Sequence, residues 1–293
     1  MMNVREVPQV FFCEGDHLYG ITHLPESSSI DLGILIVVGG PQTRVGSHRQ
    51  FIQLARFLAQ KGFTVFRFDY RGMGDSEGKH PDFEKIELDI NAAIEHFLQS
   101  TPNVKRVAIW GLCDAASAAM LNAHKYDAVK ALILLNPWAR TESGLAKSYV
   151  KNYYLKRVMT PAFWRKVFGG DFKIVESLKS FLKNLSKAYI KSDKKVEAQI
   201  HHKIVENNDN RTLPERMFDN YAKFSGKSLF ILSGNDLTAQ EFKDAATFSS
   251  VWKQCVNIGN TEILHFPAAN HTFSKREWKA QVEQWTVDWL KKL

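Results

Sequence analysis

The sequence of 293 residues contains little cysteine and no long hydrophobic run. Its three cysteines, Cys13, Cys113 and Cys255, are an odd number at wide spacings, which argues against a disulfide framework and against a zinc site. A membrane helix requires ~20 apolar residues, and the longest strand-like stretch, Gly33 to Gly40, is far too short. We therefore expect neither a bound metal nor a membrane span.

Two further signals are missing, a secretory leader and a nucleotide-binding loop. The start, MMNVREVPQV, has an early glutamate and lacks an apolar segment and a small-residue cleavage site. This start and the scarcity of cysteine together predict a cytoplasmic protein. No Gly-x-Gly-x-x-Gly follows a strand-like run, and Gly72-Met73-Gly74 alone is too short to indicate a nucleotide, so we expect no cofactor.

The formal charge of +8 is concentrated in one segment. Residues 140 to 225 hold 18 Lys and Arg against 9 Asp and Glu, whereas the rest of the chain is nearly neutral. One interpretation is a solubilising helical surface. The other is a basic surface that attracts an anionic substrate or an acidic carrier protein. Nucleic acid is not expected, because no zinc finger, basic zipper or aromatic RNA-binding signature accompanies the charge.

Apolar strand-like runs alternate with amphipathic helical segments along most of the chain. A hairpin around Glu14-Gly15-Asp16 comes first, and the runs that follow are continuous enough to be buried on both faces. This pattern predicts an α/β fold with a mostly parallel central sheet and helices on both faces. The rhythm stops between 139 and 225, which predicts a core domain over 1-138 and 226-293 and a basic helical lid, 139-225, inserted late in the sheet.

Cys113 lies between an apolar strand and an alanine-rich helix in RVAIWGLCDAASAAM. Small residues two positions to either side, Gly111 and Ala115, allow strand and helix to approach closely, as in the Gly-x-Ser-x-Gly turn that exposes a nucleophile. The N-terminus of the following helix favours a thiolate. The alternative is a cysteine buried as a small hydrophobic residue.

His271 and Asp236 are the predicted partners of Cys113. Each follows a predicted strand, and together they give the order nucleophile, acid, histidine that accompanies such a turn. Asp236 would orient the imidazole and stabilise imidazolium, although an aspartate in this turn is equally suited to capping a helix. The other histidine nearby, His265, is expected to pack within its strand.

The oxyanion formed during attack needs backbone N–H donors. We assign the N–H of Asp114, which follows the nucleophile, and that of Gly40, with Gln42 as second choice because Pro41 has no N–H. The Asp114 carboxylate should oppose thiolate formation unless it points away or pairs with Arg44, His48 or a lid cation; it is either a helix-start residue or a substrate-discriminating group. Candidate substrate-binding residues on neighbouring loops are Arg44, His48 and Trp138.

These residues resemble the α/β-hydrolase superfamily over the whole chain outside the insert, and the resemblance implies that fold. Four longer strings are similar to the exosortase A system-associated hydrolases of the first type: Gly39 to Gln42, Arg44 to Gln50, Trp110 to Ser117 and Leu135 to Trp138. That resemblance implies an association with exopolysaccharide and protein-sorting gene sets. Cysteine in place of serine departs from the wider superfamily, although dienelactone hydrolase-like enzymes share it.

Three functions remain open from the sequence. The first is hydrolysis of an ester or thioester, small or carrier-bound, through a Cys-His-Asp triad and an acyl-thioenzyme. The second is acyl transfer to a sugar or other acceptor by the same triad. The third is a non-catalytic scaffold whose basic insert binds an acidic carrier protein or anionic polysaccharide.

Overall fold

An eight-stranded sheet forms the centre of the computed structural model, which describes residues 3–140, 209 and 211–293. In sheet order the strands run β1-β2-β4-β3-β5-β6-β7-β8, with β1–β2 and β2–β4 antiparallel and every later pair parallel. This confirms the predicted mostly parallel α/β class. Their bounds are Val4–Cys13, Asp16–Pro25, Leu32–Val37, Val65–Phe68, Arg106–Leu112, Val129–Leu135, Lys227–Asn235 and Thr261–Asn270 for β1 to β8.

Amphipathic helices cover the sheet. In α1 the buried residues fall three and four positions apart, at Phe51, Leu54, Ala55, Leu58 and Ala59, which gives one apolar face. This helix packs against the C-terminal helix, Arg276–Leu290, and the helix Asp114–Asn122 packs against the helix Leu213–Tyr221. The described helices are Gln50–Gln60, Glu87–Ser100, Asp114–Asn122, Leu213–Tyr221, Leu237–Phe248, Ser250–Asn257 and Arg276–Leu290 for α1 to α7, with 3-10 turns at Ser47–Arg49, Phe83–Lys85 and Ala123–Lys125.

The parallel strands bring the predicted site residues to one edge of the sheet. The central strands β3 and β4 are entirely buried, as continuous apolar runs predict. Because β3 to β8 all point the same way, the loops that follow them meet at the carboxyl edge, where ligands bind in open α/β sheets. Cys113 follows β5, Asp236 follows β7 and His271 follows β8.

The structure differs from the sequence prediction near the C-terminus. The sequence pattern predicts a single helix from Ala239 to Cys255, but the structure has two, because Ser249 is extended and its Oγ accepts the N–H of Trp252 at 3.1 Å, which starts a new helix. The sequence pattern predicts that the last strand ends at Phe266, but β8 continues to Asn270, which pairs with Asn235 of β7 after a register shift. His265 was expected to pack, but it is exposed, because β8 is the outermost strand.

Most of the predicted lid, residues 141–208 and 210, lies outside the described residues, so the lid and the two-part domain division stay predictions. Helix α4 falls within the predicted lid range, but it packs into the core through Met217, Phe218 and Tyr221. The Phe218 ring contacts those of Phe242 and Trp252 at centroid separations of 5.9 and 5.5 Å. Across the described ranges, no helix has the length and apolarity to cross a bilayer.

Candidate active site

Cys113 occupies a strained turn between β5 and α3. Its backbone has φ 64° and ψ −125°, a conformation that costs free energy for a residue with a side chain and is often found at functional sites. The turn is held by the Cys113 N–H, which donates to the Leu135 carbonyl at 2.9 Å. A Cβ on Gly111 would lie 2.9 Å from the Ala115 carbonyl carbon, so the close approach of strand and helix requires glycine at this position. The half-buried Cys113 contrasts with the buried Cys13 and Cys255.

His271 and Asp236 form a hydrogen-bonded pair beside this turn. Asp236 Oδ2 lies 2.8 Å from His271 Nδ1. Burial lowers the pKa of His271, but hydrogen bonds with Asp236 and Cys113, and the negative charges of both, outweigh burial and raise the pKa to about 10. The structure therefore brings together the three residues that the sequence predicted as a triad.

Asp236 also begins α5. Its Oδ1 and Oδ2 accept the N–H groups of Thr238 and Ala239 at 3.2 and 3.0 Å. The two interpretations left open by the sequence, helix cap and partner of His271, are thus both realised by one carboxylate. The cap restrains the carboxylate that in turn orients the imidazole.

Asn136 was not singled out from the sequence, yet it supports the histidine loop. It is fully buried just after β6, with φ 43°. Its Nδ2 donates to the His271 carbonyl and to Ser233 Oγ, both at 2.9 Å, and its Oδ1 accepts the Ser233 N–H at 2.8 Å. Asn136 therefore fixes the backbone of His271 relative to β7. The signal available in the sequence was a polar residue directly after an apolar strand-like run.

The Gly40 N–H, predicted as an oxyanion donor, is engaged by the protein itself. It donates to Asp114 Oδ1 at 2.6 Å, and the Ala115 N–H donates to the same oxygen at 2.9 Å. Gln42 braces the same loop, because its Oε1 accepts from the Ser47 N–H at 2.9 Å and from Gln50 Nε2 at 3.2 Å. The oxyanion assignment of Gly40, Asp114 and Gln42 stays a prediction.

Arg44 pairs with carboxylates other than that of Asp114, and its contact with substrate stays a prediction. Its guanidinium binds the carboxylates of Asp69 and Asp75, and its backbone N–H also donates to Asp69. The Asp69 side chain is fully buried, and a Cβ on Gly74 would clash with it, so this loop after β4 needs its glycine. Two carboxylates thus occupy Arg44, which joins the loops after β3 and β4.

The two remaining candidates for substrate binding lie at this edge in different settings. Trp138 adjoins the nucleophile turn: its N–H donates to the Cys113 carbonyl at 3.3 Å, and the Arg140 guanidinium lies over its ring at 4.1 Å. Arg140 is paired with Glu241 at 3.1 Å. His48 is exposed in the short turn before α1. Substrate contact by Trp138 and His48 stays a prediction.

No group of His, Cys, Asp and Glu among residues 3–140 and 211–293 has an arrangement that would hold a metal ion. The described site brings a thiol, an imidazole and a carboxylate together at the carboxyl edge of the sheet. Such an arrangement is suited to covalent acyl transfer.

Two curated relatives share short stretches with this chain. The Homo sapiens protein ABHD12B is 32% identical over 109 residues, which cover 36% of this chain and 29% of that protein. The lysophosphatidylserine lipase ABHD12 of Danio rerio is 51% identical over 45 residues, which cover 15% of this chain and 11% of that protein. The chain thus spans less than a third of the length of either relative.

Solved structures match the chain over nearly its whole length. An esterase of Pyrococcus furiosus, Pf2001, matches with a TM-score of 0.63 at 16% identity and covers 99% of this chain and 91% of its own. The dienelactone hydrolase of Anabaena variabilis matches with a TM-score of 0.60 at 13% identity, covering 99% and 98%. At these identities the likeness shows the fold alone.

A protein-family model gives the more specific result. The model described as serine aminopeptidase, S33, matches residues 34–250, well over half of the chain. That description names a serine enzyme, whereas the strained turn of this chain carries Cys113. The chain belongs to the serine aminopeptidase S33 family and has the α/β-hydrolase fold.

Proposed function

We propose that this protein hydrolyses an ester or thioester with Cys113 as nucleophile, His271 as acid and base, and Asp236 as the group that orients His271. The observation that carries the proposal is the pair of Asp236 and His271, joined by a hydrogen bond of 2.8 Å, next to Cys113 on its strained turn, with Cys113 close enough to help raise the pKa of His271. Family membership supports hydrolysis in general. Cysteine as nucleophile rests on the geometry of this chain.

The reaction begins with transfer of the Cys113 thiol proton to His271, because the raised pKa of His271, about 10, makes its imidazole a strong proton acceptor. Sulfur attacks the carbonyl carbon, the carbonyl electron pair moves to oxygen, and the N–H of Asp114 at the start of α3 stabilises that oxyanion. As the oxyanion collapses, the bond to the leaving alkoxide or thiolate breaks, and that group takes the proton of His271. Neutral His271 then removes a proton from water, and the resulting hydroxide releases the acid from the thioester.

Acyl transfer is the second candidate, favoured by the cysteine itself. An acyl-thioenzyme suits attack by an acceptor hydroxyl or amine, so a sugar or other acceptor replaces water in the second half of the reaction. The resemblance of the loop sequences to exosortase-associated hydrolases supports an acceptor linked to exopolysaccharide. The basic composition of 140–225 supports an anionic or carrier-bound acyl donor.

The test is covalent labelling followed by intact mass measurement. Wild type is incubated with p-nitrophenyl acetate and with an acetyl thioester, alongside Cys113→Ala and the matched control Cys255→Ala, which removes a buried cysteine. We expect one acetyl group on wild type and on Cys255→Ala, and none on Cys113→Ala. Labelling that persists without Cys113, or an unlabelled wild type, contradicts the proposal.

Adding an acceptor separates the two candidate reactions. If the acetylated enzyme decays at the same rate with and without sugar hydroxyls or amines, and only acetate is released, the reaction is hydrolysis. Faster decay with acetylated acceptor detected by mass identifies transfer. A labelled enzyme that is stable to water and to every acceptor contradicts both.

A further inference from the structure

Asp114, which directly follows Cys113, takes up a hydrogen bond that the reaction needs. Its Oδ1 accepts the Gly40 N–H at 2.6 Å. We infer that Asp114 is an internal competitor for the oxyanion donor of Gly40, and that the acyl group must displace its carboxylate before Cys113 reacts efficiently. This inference rests on the proposed function, because it concerns the oxyanion formed when Cys113 attacks.

The position of Gly40 makes its N–H the candidate second donor to the oxyanion. Val37, the last residue of β3, pairs with Gly111 of β5, so the loop after β3 lies beside the nucleophile turn. Pro41 carries no N–H, so Gly40 is the last residue before it that can donate from this loop. An oxyanion needs donors about 3 Å away in addition to the Asp114 N–H, and Gly40 is the donor placed to supply one.

The packing around the carboxylate is tight. A Cβ on Gly39 would lie 2.3 Å from Asp114 Oδ1 and 2.4 Å from the Leu112 carbonyl oxygen. The absence of a side chain at Gly39 therefore leaves the space that the carboxylate fills. One N–H already bonded at 2.6 Å has no second hydrogen to offer, so a substrate oxygen gains the Gly40 donor only when Oδ1 leaves.

Charge strengthens the competition. Neither lysine nor arginine forms an ion pair with Asp114 in the described portion of the chain, and Arg44 is bound to Asp69 and Asp75. Burial raises the pKa of Asp114, although backbone hydrogen bonds and the charge of His271 oppose the rise. A charged Asp114 carboxylate would repel an oxyanion forming beside it, so the two occupy the site in turn.

This arrangement selects the acyl donor. A small ester has little binding energy of its own to displace a charge-assisted hydrogen bond. A donor with an extended carrier or leaving group gains additional contacts that offset the displacement. The resting site therefore discriminates against short simple esters.

The experiment compares two reactions of the same sulfur. Acylation by p-nitrophenyl acetate forms an oxyanion, whereas alkylation by iodoacetamide does not, so the ratio of their rates isolates oxyanion stabilisation from thiolate reactivity. We expect Asp114→Ala to raise this ratio on the order of tenfold, the value of one charge-assisted hydrogen bond. Asp114→Asn keeps a weaker neutral acceptor and should raise it less. Asp82→Ala is the matched control, because Asp82 is an exposed carboxylate that accepts the Glu84 N–H.

The outcomes separate this inference from the proposed function. A higher ratio in Asp114→Ala, with Asp114→Asn between it and wild type, supports the competition. An unchanged or lower ratio in both variants, with wild type still acylated at Cys113, overturns the inference and leaves the proposed function intact. If Asp114→Ala does not fold, Asp114→Asn alone decides by the same criterion. No acylation of wild type ends both.

Discussion

Two aspartates flank the nucleophile, and both start a helix at the carboxyl edge of the sheet. Asp236 accepts two N–H groups of α5, and its Oδ2 also bonds His271 at 2.8 Å. Asp114 accepts the N–H groups of Ala115 and Gly40 and has a raised pKa. The two carboxylates differ in their partners. Asp236 bonds an imidazole and so belongs to the proposed triad, whereas Asp114 bonds the Gly40 N–H, which we infer that the substrate needs.

The comparison predicts that removing the two carboxylates changes the rate of acylation in opposite directions, with the larger change at Asp236. Asp236→Asn should reduce the kcat/KM of ester cleavage by roughly 10³- to 10⁴-fold, because the amide no longer stabilises imidazolium or fixes its tautomer. Steady-state kinetics measure the loss, and thermal unfolding shows whether α5 still forms. A near wild-type kcat/KM in this variant would show that Asp236 does not act in a catalytic triad.

The raised pKa of His271 predicts the alkaline limit of activity. Acylation needs the imidazolium proton for the leaving group, so its rate should fall about tenfold per pH unit above pH ~10. The same shift stabilises the fold: the contribution is present in full below the ordinary pKa of 6.5 and is lost as the pH rises through about 10.

An NMR titration of the imidazole measures this pKa directly. In Asp236→Asn the pKa should fall, since the hydrogen bond with Asp236 is the largest of the causes that raise it. In Asp114→Asn, which leaves that bond in place, a change of comparable size would show that the two carboxylates are not distinguished by their partners.

Asn136 allows a finer test on the Asp236 side of the site. Asn136→Asp keeps an acceptor for the Ser233 N–H but has no N–H for the His271 carbonyl. We expect kcat to fall roughly 10- to 100-fold through misplacement of the imidazole, with KM little changed. Ser233→Ala is the control, because it removes the hydroxyl that contacts Asn136 and the Asn270 carbonyl but leaves the bond from Asn136 to the His271 carbonyl in place. Equal losses in both variants would indicate general destabilisation of this corner.

The sequence predicted the residues whose position follows from topology. Cys113, Asp236 and His271 each follow a strand of a parallel sheet, so the order of strands alone brings them to one edge. What it did not predict were partners determined by side-chain geometry. Nothing in the spacing shows that the Asp114 carboxylate turns towards Gly40, or that buried Asn136 reaches His271.

Arg44 also shows that the sequence does not predict side-chain partners, here for a residue that was singled out in advance. Its place on a loop beside the nucleophile suggested substrate binding, and charge alone suggested Asp114 as its partner. The structure pairs it with Asp69 and Asp75, because the loop after β4 lies alongside the loop after β3. Periodicity predicts which strands are buried, but it contains no information on which of several carboxylates a flexible guanidinium will reach.

The smallest predicted effect on catalysis is therefore that of Arg44. Arg44→Gln leaves the buried Asp69 carboxylate without its cation, so the free energy of unfolding should fall by about 3 kcal/mol. The KM for a neutral ester should change less than twofold, because both of the residue's partners belong to the protein. Chemical denaturation and ester kinetics measure the two quantities on one preparation. A large rise in KM without loss of stability would show that Arg44 contacts the substrate. It would also mean that a cation is available near Asp114.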